Sequence, residues 1–327
     1  MSSFSRRASI LALAGLAALA SGFASAEGAY PNRPVKILVG TPPGSALDVS
    51  ARAVAQVLAQ EFEQSFVVEN KVGGSGIVSA MQAIRSPADG YTLLMGSSGI
   101  FAVNPSLYSK LPYDPLKDLE PITVINAIPL FLVANPSFPP NNVAELIKYA
   151  KERPGAVSYG SSGAGITNHI TMEYFASSAG LKLLHVPYRG SPQALSDLMG
   201  GQIPMMFDTS TSIMPLIHSG KFKILAVSSA KRSDVAPNVP TVAESGVPGF
   251  EATAWTALAA PAGTPAEVID KLNRAAVKGL KTQEVRTRFQ ALGAEVVANS
   301  PAEFGTFLKS EIAKWGAIVR SSGAKAD

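Results

Sequence analysis

The chain has 327 residues, 46% of them hydrophobic and 16% charged, which excludes a disordered chain and suffices for one large domain or two ordinary ones. The formal net charge is +4, and half of it comes from Arg6 and Arg7, in a segment that we expect to be removed. The mature chain is then nearly neutral, so no nucleic acid or other general polyanion is expected as a partner.

The first 26 residues have the pattern of a signal peptide. The two arginines form a basic start, residues 10–20 are small or apolar, and residues 24–26 read Ala-Ser-Ala, an A-x-A cleavage site. The apolar run is too short to cross a hydrocarbon core of about 30 Å. We therefore expect cleavage near Ala26 and a periplasmic location, with the export route, Sec or twin-arginine, left open.

From about residue 34, short apolar segments alternate with helical patterns, which is typical of an α/β fold with largely parallel sheets. The predicted strands are Val35–Val39, Ser65–Glu69, Tyr91–Met95, Ile122–Ala134, Val157–Tyr159, Leu183–Tyr188, Met205–Phe207, Lys223–Ser228, Ala254–Ala259 and Ala294–Val297. Apolar residues at 47, 51, 54 and 58, and again at 308, 312, 315 and 319, predict two helices that face the core.

Two segments are candidates for crossings between lobes. The predicted strand Ile122–Ala134 is longer than an ordinary strand, and Pro237–Phe250 is too rich in proline and glycine for regular structure. Two crossings imply a discontinuous first lobe, residues 27–124 plus 245–327, and a second lobe formed by residues 125–244.

Three strand ends lead into turns rich in glycine and serine. At such a turn, backbone N–H groups and the positive end of a helix dipole favour an anion. The candidate ligand-binding residues are Thr41, Pro43, Gly44, Ser45, Ala46 and Asp48 in the first turn, Ser97 and Ser98 in the second, and Ser161, Ser162, Gly163, Ala164, Gly165, Asn168 and His169 in the third. One such turn alone is more often a tight turn with Asp48 or Asn168 in a capping role. Three of them favour a shared anion site.

Three further candidates stand at the ends of other predicted strands. Tyr188 and Arg189 follow one strand, and Arg189 either binds a second carboxylate of the ligand or is a solvated surface residue. Asp208 follows another strand and either accepts from a ligand amine or hydroxyl or caps the next segment. The sequence leaves these alternatives open.

Enzymatic functions are not supported by the motifs. The chain has no cysteine, and its three histidines have no metal-binding spacing, so no metal, cofactor or catalytic residue is expected. Phosphate-binding and dinucleotide-binding glycine motifs are absent, and no serine stands in a G-x-S-x-G turn. A serine hydrolase using Ser162 and His169 is kept as a remote alternative.

A series of short motifs occurs in a fixed order along the chain. They are Pro43-Gly44 with Asp48, Ala51-Arg52, Asn70-Lys71, Gly73-Gly74, Asp89–Leu93, Asn104–Tyr108, Leu111–Pro115, Tyr159–Gly163, His185–Gly190, Gly200–Gln202, Val239–Gly246 and Ala260–Pro265. In number and order they resemble the Bug family of periplasmic solute-binding proteins, the receptors of tripartite tricarboxylate transporters. The resemblance covers essentially the whole mature chain.

The resemblance implies a type II periplasmic-binding-protein fold, in which two α/β lobes close on a ligand in the cleft. It also implies that the loops Thr41–Asp48 and Ser161–His169 hold one ligand carboxylate through backbone groups and bridging waters. Family ligands are di- and tricarboxylates, acidic amino acids and aromatic acids. The implied partners are the membrane permease subunits, and we expect a monomer. A periplasmic sensor that signals to a membrane kinase is the alternative from another class.

The first loop departs from the family pattern at three positions. Family members usually read Pro-aromatic-x-Pro-Gly-Gly there, whereas this chain has Gly40 and Thr41 in place of the first pair and Ser45 in place of the second glycine. The missing aromatic ring leaves space or a hydroxyl where other members have an apolar lid. The identity of the acid is therefore not transferred from any family member.

Overall fold

The structure is a computed structural model that describes residues 30–324. The fold below is that of the unit that begins at Arg33. The predicted signal peptide lies outside the described residues. Within residues 30–324, no helix has the length and apolar character needed to span a membrane.

The elements alternate as the sequence predicts. The strands are β1 (Val35–Val39), β2 (Phe66–Asn70), β3 (Thr92–Ser97), β4 (Leu119–Ala134), β5 (Ser158–Ser161), β6 (Leu184–Pro187), β7 (Met205–Thr209), β8 (Lys223–Val227), β9 (Thr253–Pro261) and β10 (Glu295–Val296). The helices are α1 (Ala46–Phe62), α2 (Ile77–Ile84), α3 (Asn104–Leu107), α4 (Val143–Lys151), α5 (Thr167–Ala179), α6 (Ser191–Met199), α7 (Ser210–Ile213), α8 (Ala266–Leu280), α9 (Gln283–Ala291) and α10 (Pro301–Ser322). Every predicted strand is present, and its ends lie within three residues of the prediction.

The strands are joined in the order β2-β1-β3-β9-β4-β7-β5-β6, with β8 and β10 also paired to β4. Strand β1 runs parallel to β2 and β3, and β5 runs parallel to β6 and β7. Parallel strands connected through helices place their carboxyl ends, and the following helix starts, at the same edge of the sheet. The α/β class is therefore confirmed.

The long strand β4 changes partners partway along its length. From Leu119 to Pro129 it pairs with β9, and from Leu130 to Ala134 it pairs with β7. Pro129 has no N–H to donate to a ladder and stands at the change. The strand thus belongs to both parts of the sheet, while the lobe boundaries given above stay a prediction.

Helix α10 packs against β4 and α5, and also against the helical turn at residues 99–103. Its Trp315 is fully buried, and Glu311 Oε2 accepts hydrogen bonds from the indole nitrogens of both Trp315 (2.8 Å) and Trp255 of β9 (2.7 Å). Both buried indole N–H groups are thereby satisfied, as buried polar groups must be. The C-terminal helix consequently ties elements from the two parts of the sheet together.

Candidate functional site

A cavity of about 330 Å³ lies where five strand-to-helix connections meet. Its wall carries six hydroxyl side chains, from Thr41, Ser45, Ser75, Ser97, Ser162 and Ser191. Most of the remaining wall is glycine and small apolar residues, and the one charged side chain among the described residues that line it is Arg189. A volume near the lower end of the range for ligand pockets fits a small molecule.

Four helices begin at the wall of this cavity. The N-cap residues Ser45 of α1, Gly76 of α2, Ile166 of α5 and Gly190 of α6 all line it. The first N–H groups of a helix lack partners inside the helix, and the helix dipole is positive at this end. Four such ends around one space favour a negatively charged ligand.

The first loop is held in shape by the carboxylate of Asp48, which is 2% exposed. Its oxygens accept hydrogen bonds from Gly44 N (2.9 Å), from Asn70 Nδ2 (2.9 Å) and from two nitrogens of Arg52 (both 3.0 Å). Asn70 Nδ2 also donates to the carbonyl oxygen of Thr41 at 2.9 Å. The loop therefore has a fixed shape without any ligand contact from Asp48.

The charge of Asp48 is stabilised in the fold. Burial is the largest single influence and opposes ionisation, but the hydrogen bonds from Arg52, Gly44 and Asn70 together outweigh it and hold the pKa of Asp48 below its ordinary value. The carboxylate is thus ionised at neutral pH, and both of its oxygens accept hydrogen bonds from the protein. Its role is to position the loop.

We predict that Asp48→Asn lowers the free energy of unfolding by about 1–2 kcal/mol at pH 7, because an amide loses the charge that Arg52 binds. A group with a depressed pKa in the fold contributes stability above the pKa of the unfolded chain, about 3.9, and loses it at lower pH. The difference between the two proteins should shrink as the pH falls below about 4. Urea unfolding at pH 7 and pH 3.5 measures it.

The control for this prediction is Asp234→Asn, which removes the same charge from an exposed side chain. A surface change of this kind is expected to alter stability by less than about 0.5 kcal/mol. If both substitutions had the same small effect, the loop would not depend on Asp48.

The third loop rests on two stacked histidine rings. The rings of His169 and His185 lie 3.9 Å apart between centroids, and Tyr159 stacks on His185 at 5.0 Å. His169 Nδ1 accepts a hydrogen bond from Gly165 N at 3.1 Å, and His185 Nε2 lies 2.6 Å from Ser161 Oγ. These rings form a platform under the loop and do not line the cavity.

Both histidines are neutral at physiological pH. Burial lowers the pKa of His169 to about 3, with a smaller contribution from His185, and burial lowers the pKa of His185 to about 4. Ser162 Oγ donates to Asn168 Oδ1 at 3.1 Å, and the hydrogen bond described for His169 Nδ1 comes from Gly165. The nucleophile and base that a serine hydrolase would need are thus engaged with other groups.

The amide groups of three predicted glycines are already used inside the protein. Gly44 N donates to Asp48 Oδ2 (2.9 Å), Gly163 N to Ser161 Oγ (3.2 Å) and Gly165 N to His169 Nδ1 (3.1 Å). These N–H groups shape the loops and are not free donors for a ligand. Three of the wall hydroxyls, those of Ser75, Ser162 and Ser191, likewise donate to oxygens of the protein, and the hydroxyls of Thr41 and Ser45 bond to each other.

Asp208 is buried beneath the wall. Its Oδ1 accepts from Ser191 Oγ (3.0 Å) and from Thr209 N (2.8 Å), while Oδ2 is buried without a hydrogen-bond partner among the described residues. Burial raises the pKa of Asp208 to about 6, although these hydrogen bonds act in the opposite direction. Asp208 therefore does not line the cavity itself but hydrogen-bonds to Ser191, which does.

Three contacts join the β1–β3 side of the cavity to the β5–β7 side. Ser75 Oγ donates to the carbonyl oxygen of Ala164 at 2.8 Å, and the hydroxyls of Ser98 and Thr167 lie 2.9 Å apart. Gly165 lies so close to Leu107 that an added Cβ would stand 2.4 Å from Leu107 Cδ2. The two sides of the cavity are therefore in direct contact.

The structure brings part of the predicted site together around the cavity. The predicted residues that line it are Thr41, Ser45, Ser97, Ser162, Gly163, Ala164, Gly165 and Arg189. The predicted residues that do not line it are Pro43, Gly44, Ala46, Asp48, Ser98, Ser161, Asn168, His169, Tyr188 and Asp208. Asp48, His169 and Asp208 support wall residues from behind, and ligand binding by the predicted set stays a prediction.

One wall segment, residues 72–76, was not predicted from the sequence. It connects β2 to α2 and contains Gly73, Gly74, Ser75 and Gly76, all with positive φ. The signal was present in the Gly-Gly-Ser-Gly run between a predicted strand and the next helix. Within residues 30–324 no cluster of three or more His, Cys, Asp or Glu side chains is arranged to hold a metal ion.

The sequence model of the family described as "Tripartite tricarboxylate transporter family receptor" matches residues 50–324. The chain is also 37% identical over 319 residues to Protein BugT of Bordetella pertussis, covering 97% of this chain and 98% of that protein. Together these matches span nearly the whole sequence.

Solved structures agree with this similarity. R. palustris Rpa4515 with adipate has a TM-score of 0.87 and 36% identity, covering 90% of this chain and 99% of that one. MatC from Rhodopseudomonas palustris with bound malate has a TM-score of 0.84 and 31% identity, covering 89% and 100%. The fold is therefore the two-lobed periplasmic solute-binding fold that the motifs imply.

The family consists of binding receptors, so the remote hydrolase alternative is not supported. The family model covers the chain from β2 to β10, and the similarity to BugT covers 97% of this chain. The chain belongs to the tripartite tricarboxylate transporter receptor family, the family of the Bug proteins.

Proposed function

We propose that the chain captures a small carboxylate in the cavity between its lobes and delivers it to a membrane permease of the tripartite tricarboxylate type. The observation that carries the proposal is the convergence of four helix N-termini, capped by Ser45, Gly76, Ile166 and Gly190, on one small cavity. Helix N-termini bind anions through their N–H groups and their dipoles.

The other wall groups support the same ligand chemistry. Like charges repel, and no acidic side chain is among the described residues that line the cavity. The Thr41 and Ser45 hydroxyls lie 2.6 Å apart at its edge, where the sequence departs from the family pattern. This arrangement supports a polar end of the ligand at the first loop.

The ligands of similar proteins agree with this class. Rpa4515 was solved with adipate and MatC with malate, and both are carboxylates. By this similarity the proposal includes capture in the periplasm, after cleavage of the predicted signal peptide near Ala26. It also includes closure of two lobes, residues 27–124 plus 245–327 and residues 125–244, on the ligand.

We predict that a carboxylate ligand raises the melting temperature of the mature protein, whereas neutral sugars leave it unchanged. A ligand at 100 times its dissociation constant stabilises the folded state by about 2.7 kcal/mol, because it binds that state alone. A thermal-shift screen should include mono-, di- and tricarboxylates, acidic amino acids and aromatic acids. If sugars stabilised the protein and no acid did, the proposed function would be wrong.

A further inference from the structure

The hydroxyl of Ser75 lies on the cavity wall and bonds to the opposite side of the cavity. Ser75 stands in the connection from β2 to α2, and its Oγ donates to the carbonyl oxygen of Ala164 in the third loop at 2.8 Å. The two residues are 89 positions apart in the chain. Because Ser75 is half-buried and Ala164 is exposed, the bond closes the cavity at its rim.

The direction of this hydrogen bond is determined by a neighbouring tyrosine. A carbonyl oxygen can only accept, so the single proton of the Ser75 hydroxyl is used in the bond to Ala164. Tyr108 Oη lies 3.1 Å from Ser75 Oγ and is therefore the donor in the second bond. Tyr108 thus holds the serine oxygen from the β1–β3 side, and the serine proton points to the β5–β7 side.

The backbone of Ser75 is held in a conformation that suits glycine better than serine. Its φ is +52° and its ψ is +36°, in the left-handed region, where a residue with a Cβ is strained. Asn104 Nδ2 donates to the carbonyl oxygen of Ser75 at 3.3 Å and to Tyr113 Oη at 3.2 Å. The sequence motifs Asn104–Tyr108 and Leu111–Pro115 therefore supply side chains that hold Ser75 in place.

Resting on the proposed function, we propose that Ser75 is a latch, a residue that keeps the two sides of the cavity together around the ligand and slows its release. The hydrogen bond to Ala164 exists only while the two sides are in contact, so it has to break before they separate. Its loss changes the dissociation rate more than the association rate, as is usual for contacts made after the first encounter. A strained serine at a position that glycine fits without strain agrees with a role for the hydroxyl.

The dissociation rate of a bound acid tests the latch, with adipate and malate as the probes. Each radiolabelled acid is bound to the mature protein and chased with excess unlabelled acid. Ser75→Ala should release it about fivefold faster than the wild type does, or ~1 kcal/mol, while the association rate changes by less than about twofold. The matched control is Ser86→Ala, which removes a hydroxyl that donates to the carbonyl oxygen of Gln82 at the same distance, 2.8 Å, within one side of the cavity. The control should release the acids like the wild type.

Two further variants distinguish the latch from a general loss of stability. Tyr108→Phe leaves the Ser75 hydroxyl free to turn and should speed release by about twofold. Ser75→Ala/Tyr108→Phe should release no faster than Ser75→Ala, because both changes act through one bond. Ser75→Gly should release as fast as Ser75→Ala but melt at a higher temperature, because glycine adopts the left-handed conformation without strain. Effects that multiply in the double variant would overturn the role of Tyr108.

A second measurement needs no ligand. Because the chain has no cysteine, Arg85→Cys and Lys182→Cys, at exposed positions on the two sides, can carry a pair of spin labels. Ser75→Ala should lengthen the distance between the labels in the ligand-free protein, whereas Ser86→Ala should not. Equal dissociation rates in the wild type and Ser75→Ala would overturn the latch while the proposed function stood. A wild type that bound no acid would contradict the proposed function, and an unchanged label distance would then refute the latch separately.

Discussion

Gly165→Val should weaken ligand binding by about a hundredfold, or ~3 kcal/mol. Gly165 belongs to the third loop, has φ of +78° and faces Leu107 from the other side of the cavity. An added Cβ would stand 2.4 Å from Leu107 Cδ2, closer than real contacts allow, and valine adds two more carbons. The contact between the two sides of the cavity would be disrupted, because overpacking a tight contact costs about 1–3 kcal/mol.

The matched control is Gly155→Val. Gly155 has nearly the same backbone angle, φ of +77°, but an added Cβ there meets no atom within 4 Å. Both variants therefore carry the same left-handed strain, about 1–2 kcal/mol in the free energy of unfolding. Only Gly165→Val should lose affinity in isothermal titration, while both should melt at lower temperature than the wild type.

A second substitution separates the contact from other effects. Leu107→Ala removes the side chain that the new valine would meet, so Leu107→Ala/Gly165→Val should recover part of the lost affinity. No recovery would mean that the loss arises inside the third loop. Wild-type affinity in Gly165→Val alone would mean that ligand binding does not require this contact across the cavity.

The fold could be predicted closely because strands and helices alternate with clear apolar patterns. The ten predicted strands correspond to observed strands, down to the short predicted strand Ala294–Val297, which is observed as Glu295–Val296. The observed long strand Leu119–Ala134 is the one that changes partners. Such patterns report burial on a sheet or helix face, which the local sequence determines. The lobe boundaries depend on contacts between segments that are distant in sequence. Local apolar patterns do not report such contacts.

The site could be predicted only to the level of its loops. Asp48, His169 and Asp208 stand beside wall residues in sequence, yet their side chains turn behind the wall and hold it. Sequence position cannot distinguish a residue that touches a ligand from one that positions the loop. The segment Gly73–Gly76 was missed for another reason. Its glycine-rich sequence is that of a turn with positive φ angles, and only the folded chain shows that this turn lies on the wall of the cavity.

Replacing Asp208 with asparagine should stabilise the protein at pH 8 by about 3 kcal/mol and have little effect at pH 4. Burial raises the pKa of Asp208 to about 6, against about 3.9 in an unfolded chain. Between these values the folded chain holds the proton and the unfolded chain has released it, so stability falls as the pH rises through this window. Asparagine does not titrate and avoids this loss, while its amide oxygen can still accept from Ser191 Oγ and Thr209 N.

Urea unfolding of the wild type and Asp208→Asn at several values between pH 4 and pH 8 measures the effect, with exposed Asp234→Asn as the control for a lost surface charge. The two curves of stability against pH should separate between about pH 4 and pH 6 and then run parallel. An equal stability of the two proteins at pH 8 would mean that Oδ2, which has no partner among the described residues, is stabilised as an anion. A variant destabilised at every pH would instead mean that the amide NH2 group, placed where Oδ2 has no partner among the described residues, costs more than the removal of the charge gains. The expected gain instead identifies Asp208 as a carboxyl group retained beneath Ser191 at a cost in stability, as is common where residues serve a binding site.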